Sequence, residues 1–233
     1  IMTYDQAVIK NSSFTNIERV GVHINALDSE VFNSTFTGMG EGNFMNYGIE
    51  VERGGHAKVH DNLFTDFLGV VEGGEEDWES AAILASTFFG GETTTTIEVE
   101  RNTFTNNIWA AQIGYEDTDE TIATFAFNRI VQNTYGIWSS GVEVDAENNW
   151  WGCNTGPDSE GCVSNTQGID ADPWLVLDTE VNPEQLDPAA AATVTGTLVN
   201  NSDGVDTSSL GYLPDNIVMD FSATGGTVDP EQA

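Results

Sequence analysis

From the start of the chain to about residue 150, short stretches of alternating apolar and polar residues recur on one plan. The segments are VIKNSSFTNI from Val8, VFNSTFTGM from Val31, VHDNLFTDF from Val59, VERNTFTNN from Val99, FAFNRIVQN from Phe125 and VDAENNWWG from Val144. Each places an apolar residue before a small or Asn-rich polar stretch and then an anchor: Phe14, Phe36, Phe64, Phe104, Ile130 and Trp150. The anchors stand 22, 28, 40, 26 and 20 residues apart, the length of one solenoid coil with loops of variable size. All but the last are followed by a second short alternating run: GVHI at 21–24, YGIEV at 47–51, AAILA at 81–85, AAQIG at 110–114 and YGIWS at 135–139. Period two in runs this short predicts strands, and no helical spacing competes with it.

One coil cannot bury its own apolar face, so the coils must stack, with equivalent residues about 4.8 Å apart. The expected fold is therefore all-β: a right-handed parallel β-helix over residues 1–178. Phe14, Phe36, Phe64, Phe104 and Ile130 form one predicted ladder inside it. A second contains Val22 or Ile24, Ile49 or Val51, Ile83, Ile113 and Ile137. Asn62, Asn102, Asn128 and Asn148, with Ser12 and Ser34 in the first two coils, stand two residues before the anchors. They are expected to point inward or mark a bend, and an inward amide column is tolerable only if fully hydrogen-bonded. The insertions MGEGNFMN at 39–46 and FLGVVEGGEEDWES at 67–80 grow outward, where solenoids place recognition surfaces.

Charge narrows the partners. The chain has 38 Asp and Glu against 6 Lys and Arg, a formal charge of -32, yet 10% of its residues are aromatic. Disordered acidic chains lack that apolar content. The field repels phosphate backbones, excluding nucleic acid as a natural partner, and suits a high-salt setting where like charges are screened. No run of apolar residues is long enough to span a membrane. Cys153 and Cys162 enclose a Gly- and Pro-rich turn and are expected to form a disulfide in an oxidising compartment. With sequons at Asn11, Asn33 and Asn200, this points to a secreted or cell-surface location.

After Asn148 the chain reads NNWWGCNTGP, with Asp172, Pro173 and Trp174 further on. Asn149, Trp150, Trp151, Gly152, Gly156 and Pro157, together with this DPW triplet, resemble the closing segment of right-handed β-helix repeat regions. These regions, also described as copper-periplasmic-type repeats, have the pectin-lyase-like fold and occur in bacterial and archaeal secreted or surface proteins. The resemblance implies the architecture over about residues 4–178, but no single activity, since that fold carries lyases, hydrolases, epimerases, adhesins and scaffolds. On physical grounds Trp150 and Trp151 are expected to seal the apolar stack as a terminal cap. Residues 179–192 read as a linker. Residues 193–233 resemble the opening of an invasin or bacterial Ig-like sandwich, with strands at 193–199 and 217–223. Only about 40 of the roughly 90 residues such a sandwich needs are present, as expected of a fragment or of a module completed by another chain through self-assembly.

The leading functional expectation is a non-catalytic surface or adhesive module. It would bind a surface glycan, or neighbouring surface-protein domains, through loops and an aromatic strip of Trp78, Trp109, Tyr115 and Trp138. The alternative is a carbohydrate-active enzyme, for which the candidate carboxylates are Glu50 or Glu52 with Asp61, or Glu98 and Glu100 with Glu143 and Asp145; a second alternative is a subunit of an extracellular filament assembled by strand complementation. Polysaccharide lyases need a basic abstracting group, and no groove dense in bases and carboxylates is apparent. Calcium is the candidate ion, held by Asp158, Glu160, Asp170 and Asp172. His23, His56 and His60 read as surface or ladder residues.

Overall fold

The computed structural model describes residues 1–42, 45–69, 80–88, 93–165, 167–185, 187, 190–215, 217–224 and 227–229. Three parallel sheets wind into a β-solenoid. The first sheet contains Met2–Thr3, Val20–Ile24, Tyr47–Glu52, Ala81–Ser86, Trp109–Ile113 and Tyr135–Ser139. The second contains Val8–Lys10, Ser29–Phe32, His56–His60, Thr96–Glu100, Ile122–Ala126, Val144–Asp145 and Ile169–Asp170. The third contains Ser13–Ile17, Thr35–Gly38, Leu63–Thr65, Thr103–Thr105 and Arg129–Ile130.

The anchor ladder forms as the repeat requires. Phe14, Phe36, Phe64 and Phe104 stack ring on ring at 4.7, 4.9 and 5.0 Å, and Ile130 is in register with Phe104. The final coil is displaced by one residue from the sequence alignment. Arg129 bridges Trp150, which places Trp151 in the anchor row; Trp151 is 1% exposed within the main core. Trp150 points the other way, into a satellite cluster with Phe127, Val131 and Leu175. A one-residue slip reverses every side chain, which is why one tryptophan of the pair caps the stack and the other does not.

The first sheet carries two interior rows rather than one. Val22, Ile49, Ile83, Ala111 and Ile137 share a register, while Ile24, Val51, Ala85, Ile113 and Ser139 form the next. Ile113 therefore does not stack with Ile83 and Ile137.

The corners between the second and third sheets repeat a device. Asn11, Asn33, Asp61, Arg101, Phe127 and Asn148 all adopt positive φ, and the residue after each turns inward. That inward row is Ser12, Ser34, Asn62, Asn102, Asn128 and Asn149, so Asn149 takes the place expected of Asn148. The carbonyls of Asn102, Asn128 and Asn149 accept from the backbone and side-chain N–H of the preceding coil, as Asn102 Oδ1 receives Asn62 N and Nδ2, both at 3.0 Å, while Asn62 Oδ1 receives Ser34 N. Each Nδ2 also donates to a carbonyl of the preceding coil, as Asn102 does to Val59 O at 2.9 Å. A shorter second ladder runs through Asn107 and Asn133.

The C-terminal region forms a two-stranded antiparallel sheet, Leu175–Asn182 with Thr193–Asn201, so strand occupies the start of the expected linker. It joins the solenoid through Leu175 N to Asn149 O and Asn201 Nδ2 to Asn148 Oδ1. Leu177, Leu198 and Leu213 pack against the Trp150 cluster. Among the described residues, 217–224 contains only an isolated bridge at Asp220, and no second sheet faces the hairpin.

Candidate functional site

The outer face of the first sheet and the loops beside it gather the polar chemistry. His23, Glu50, Leu84, Gln112 and Trp138 occupy one outward row across five coils. Glu52 and Ser86 form the neighbouring outward pair. His23 Nε2 lies 2.9 Å from Glu52 Oε1, and Arg53 Nε lies at the same distance from that oxygen. The imidazole contact lacks hydrogen-bond geometry, and His23 Nε2 is buried without a hydrogen-bond partner. One ligand atom from each of His23, Glu50 and Glu52 falls within 4.8 Å of the others. Burial, with Glu52 adding to it, pushes the Glu50 carboxyl above the usual carboxylate value against the pull of His23, Arg19 and Arg53.

Beyond Ser86 a single carboxylate organises two loops. Ser86 Oγ donates to Asp119 Oδ2 at 2.7 Å, and Asp119 is 7% exposed. The same carboxylate accepts from the backbone of Thr87, Phe88, Tyr115 and Thr121 and from Thr121 Oγ1. Burial opposes its ionisation, but bonds from Thr121, Ser86 and the loop amides outweigh that and hold it below the usual aspartate value. Thr95 ties in the preceding coil, donating to Ser86 O and accepting from Gly54 N.

The result is a fixed aromatic platform. Phe88 and Tyr115 stack with centroids 4.7 Å apart, and they remain 44% and 51% exposed. The two rings lie 26° from parallel, so each covers part of one face of the other while both keep exposed apolar surface.

Of the aromatic strip expected from sequence, Tyr115 belongs to this platform. Trp138 is half-buried, whereas Trp109 is 3% exposed, stacked on Tyr135 at 4.4 Å and packed with Tyr47 and Ile108. Its indole therefore offers no open ring face. Trp78, with the acidic residues around it, lies outside the described residues.

The candidate carboxylates separate. Glu50 and Glu52 sit on the first sheet, while Asp61 is at the corner after the second, gripped by the Arg101 fork at 3.1 Å and by His60. Glu98 shares a row with Asp145, but Thr124 stands between them; Glu143 is exposed. Asp158, Glu160, Asp170 and Asp172 are exposed and do not converge. Asp158 accepts from Asn165 N, while Asp170 and Asp172 share an acidic patch with Asp145 and Glu147. Among the described residues, the cluster that could hold a metal ion is His23, Glu50 and Glu52, which brings a histidine read as a surface or ladder residue beside two acids of the next coil.

No helix among the described residues is long and apolar enough to cross a membrane. In comparisons with known proteins, no family model matches the chain, and no curated protein or solved structure matches it.

Proposed function

We propose that this chain is a non-catalytic, extracellular β-helix module that binds carbohydrate on the loop edge of its first sheet. The observation that carries this reading is the exposed Phe88–Tyr115 pair, two stacked rings on loops whose backbones are joined by the buried Asp119 carboxylate. Exposed aromatic rings pack on the apolar face of a sugar, and the hydroxyl-rich rim of that sugar finds the exposed Arg53 beside the same sheet. The Cys153–Cys162 disulfide supports an oxidising, external compartment. The repeat grammar and NNWWG closing segment support a right-handed, pectin-lyase-like winding, and the C-terminal hairpin supports the opening of an Ig-like surface domain. The field of 38 acidic residues favours neutral over polyanionic glycans.

The test is a glycan array probed with the full chain at about 2 M NaCl, where surface charge is screened, with every bound glycan assayed for new reducing ends or unsaturated products. Binding without turnover, lost in Tyr115→Ala and Phe88→Ala, is the expected outcome. Binding that survives both substitutions overturns the platform reading.

A second reading, glycoside hydrolysis, draws on the half-buried Glu50, whose carboxyl burial pushes above the usual carboxylate value. Against it, the ligand oxygens of Glu50 and Glu52 lie within 4.8 Å on one strand. Carboxylate pairs that retain configuration stand about 5–5.5 Å apart across a bond, and inverting pairs about 6.5–9.5 Å. Cleavage abolished by Glu50→Gln would establish the hydrolase instead.

A further inference from the structure

We infer that His23, Glu50 and Glu52 form a binding site for a divalent transition-metal ion of the zinc type. The site goes beyond the carbohydrate reading and stands on different residues. Its ligands come from adjacent coils: His23 is directly in register with Glu50, and Glu52 follows two residues along the strand on the same outward face.

The chemistry of the set selects the ion. Calcium and magnesium take oxygen ligands in sixes to eights, and an imidazole nitrogen is a poor donor to them. One imidazole with two carboxylates and no thiolate suits zinc or its first-row neighbours, which accept three protein ligands and keep a further position for water or another ligand. Ligands around a tetrahedral ion with bonds near 2.1 Å stand about 3.4 Å apart, so atoms within 4.8 Å of one another close onto an ion by small glutamate rotations.

The state of His23 separates a ligand from a simple ion pair. An imidazolium paired with Glu52 would aim its N–H at the carboxylate; here Nε2 is 2.9 Å from Oε1 yet off the hydrogen-bond direction. It is a buried lone-pair or N–H position with no bonded partner, facing two carboxylates. Arg53 occupies only Oε1 of Glu52, and its side chain is 55% exposed, so the other carboxylate oxygen remains for an ion and the guanidinium is free to swing away. The surrounding charge of -32 raises the local concentration of any divalent cation.

The experiment is calorimetric titration of Zn²⁺, Ca²⁺ and Mg²⁺ into the full chain at about 2 M NaCl, a salt level that suppresses diffuse cation binding to surface acids. One Zn²⁺ per chain is expected, with affinity reduced at least about 100-fold in His23→Ala and Glu50→Gln, beyond the 10–100-fold typical of outer-shell changes. Glu143→Gln, an exposed acid just before a strand of the second sheet, leaves it unchanged. Tyr115→Ala also leaves it unchanged, so failure of the glycan reading and failure of this one are distinguishable. Because His23→Ala could disturb folding, the unmodified protein supplies a second readout. The chain has three histidines, and Zn²⁺ should shift the imidazole nitrogen resonances of one, His23. Absence of stoichiometric zinc binding, equal affinity for Ca²⁺, or a shift confined to His56 or His60 overturns the inference.

Discussion

Removing one amide from the middle of the asparagine ladder should cost far more than its size implies. Asn102 is fully buried and takes part in five side-chain hydrogen bonds. Its carbonyl receives Asn62 N and Nδ2; its amide donates to Val59 O, Glu100 O and Asn128 Oδ1. In Asn102→Ala the other partners keep some compensation. Asn62 Nδ2 still reaches Val31 O and His60 O, Glu100 O still accepts from Asp61 N, and Asn128 Oδ1 still accepts from Asn102 N. Asn62 N–H is left buried without an acceptor, which costs about 1–3 kcal/mol, and the lost bonds add about 1 kcal/mol between them and the small cavity. The expected destabilisation is therefore about 3 kcal/mol, a large part of the 5–15 kcal/mol typical of a folded domain. Denaturant unfolding at fixed salt measures it as a fall in midpoint at constant slope. Ser12→Ala is the control: its hydroxyl makes one exposed bond, to Lys10 O, and the change should stay within about 0.5 kcal/mol. A loss below about 1 kcal/mol for Asn102→Ala would refute the claim that the ladder is a closed buried network.

Reducing Cys153–Cys162, which closes a separation of 9 residues, should lower stability by about 2.6 kcal/mol on the loop-entropy relation, read as a drop in melting temperature with reductant. Asp119 is held below the ordinary aspartate value of 3.8, so its contribution is complete above that value and is lost as pH falls through the lower folded one. The gap in melting temperature between wild type and Asp119→Asn should accordingly be full at pH near 7 and close in acid; a gap independent of pH would contradict this. Melting temperature should rise between about 0.05 M and about 2 M NaCl as screening relieves self-repulsion, and an unchanged value would remove the case for salt adaptation.

The repeat was readable because a parallel solenoid writes its interior directly into sequence: Phe14, Phe36, Phe64 and Phe104 recur with the same neighbours whatever the loop length. Ambiguity entered where residues came in pairs. Asn148–Asn149 and Trp150–Trp151 fit the two-residue offset in either register, and the bond from Asn128 to Asn149 decides between them. The second ladder had a signal in Asn107 and Asn133, each three residues after an anchor, but it spans only two coils. Tyr115 could be singled out as an aromatic in a loop, whereas its partner Phe88 and the organising Asp119 could not, since one carboxylate among many looks like any other until its bonds are seen. The approach of His23 to Glu50 and Glu52 required coil-to-coil register. Stacking GVHIN on YGIEVE would have revealed it, but the variable loop between them hides that alignment.

The most direct test of the central claim is a crystal structure of the full chain soaked with the glycan that binds it most tightly. A sugar ring lying against Phe88 and Tyr115, with its hydroxyls directed toward the Arg53 side of the first sheet, is the expected result. A glycan seated on another face, with that platform bare, would contradict it.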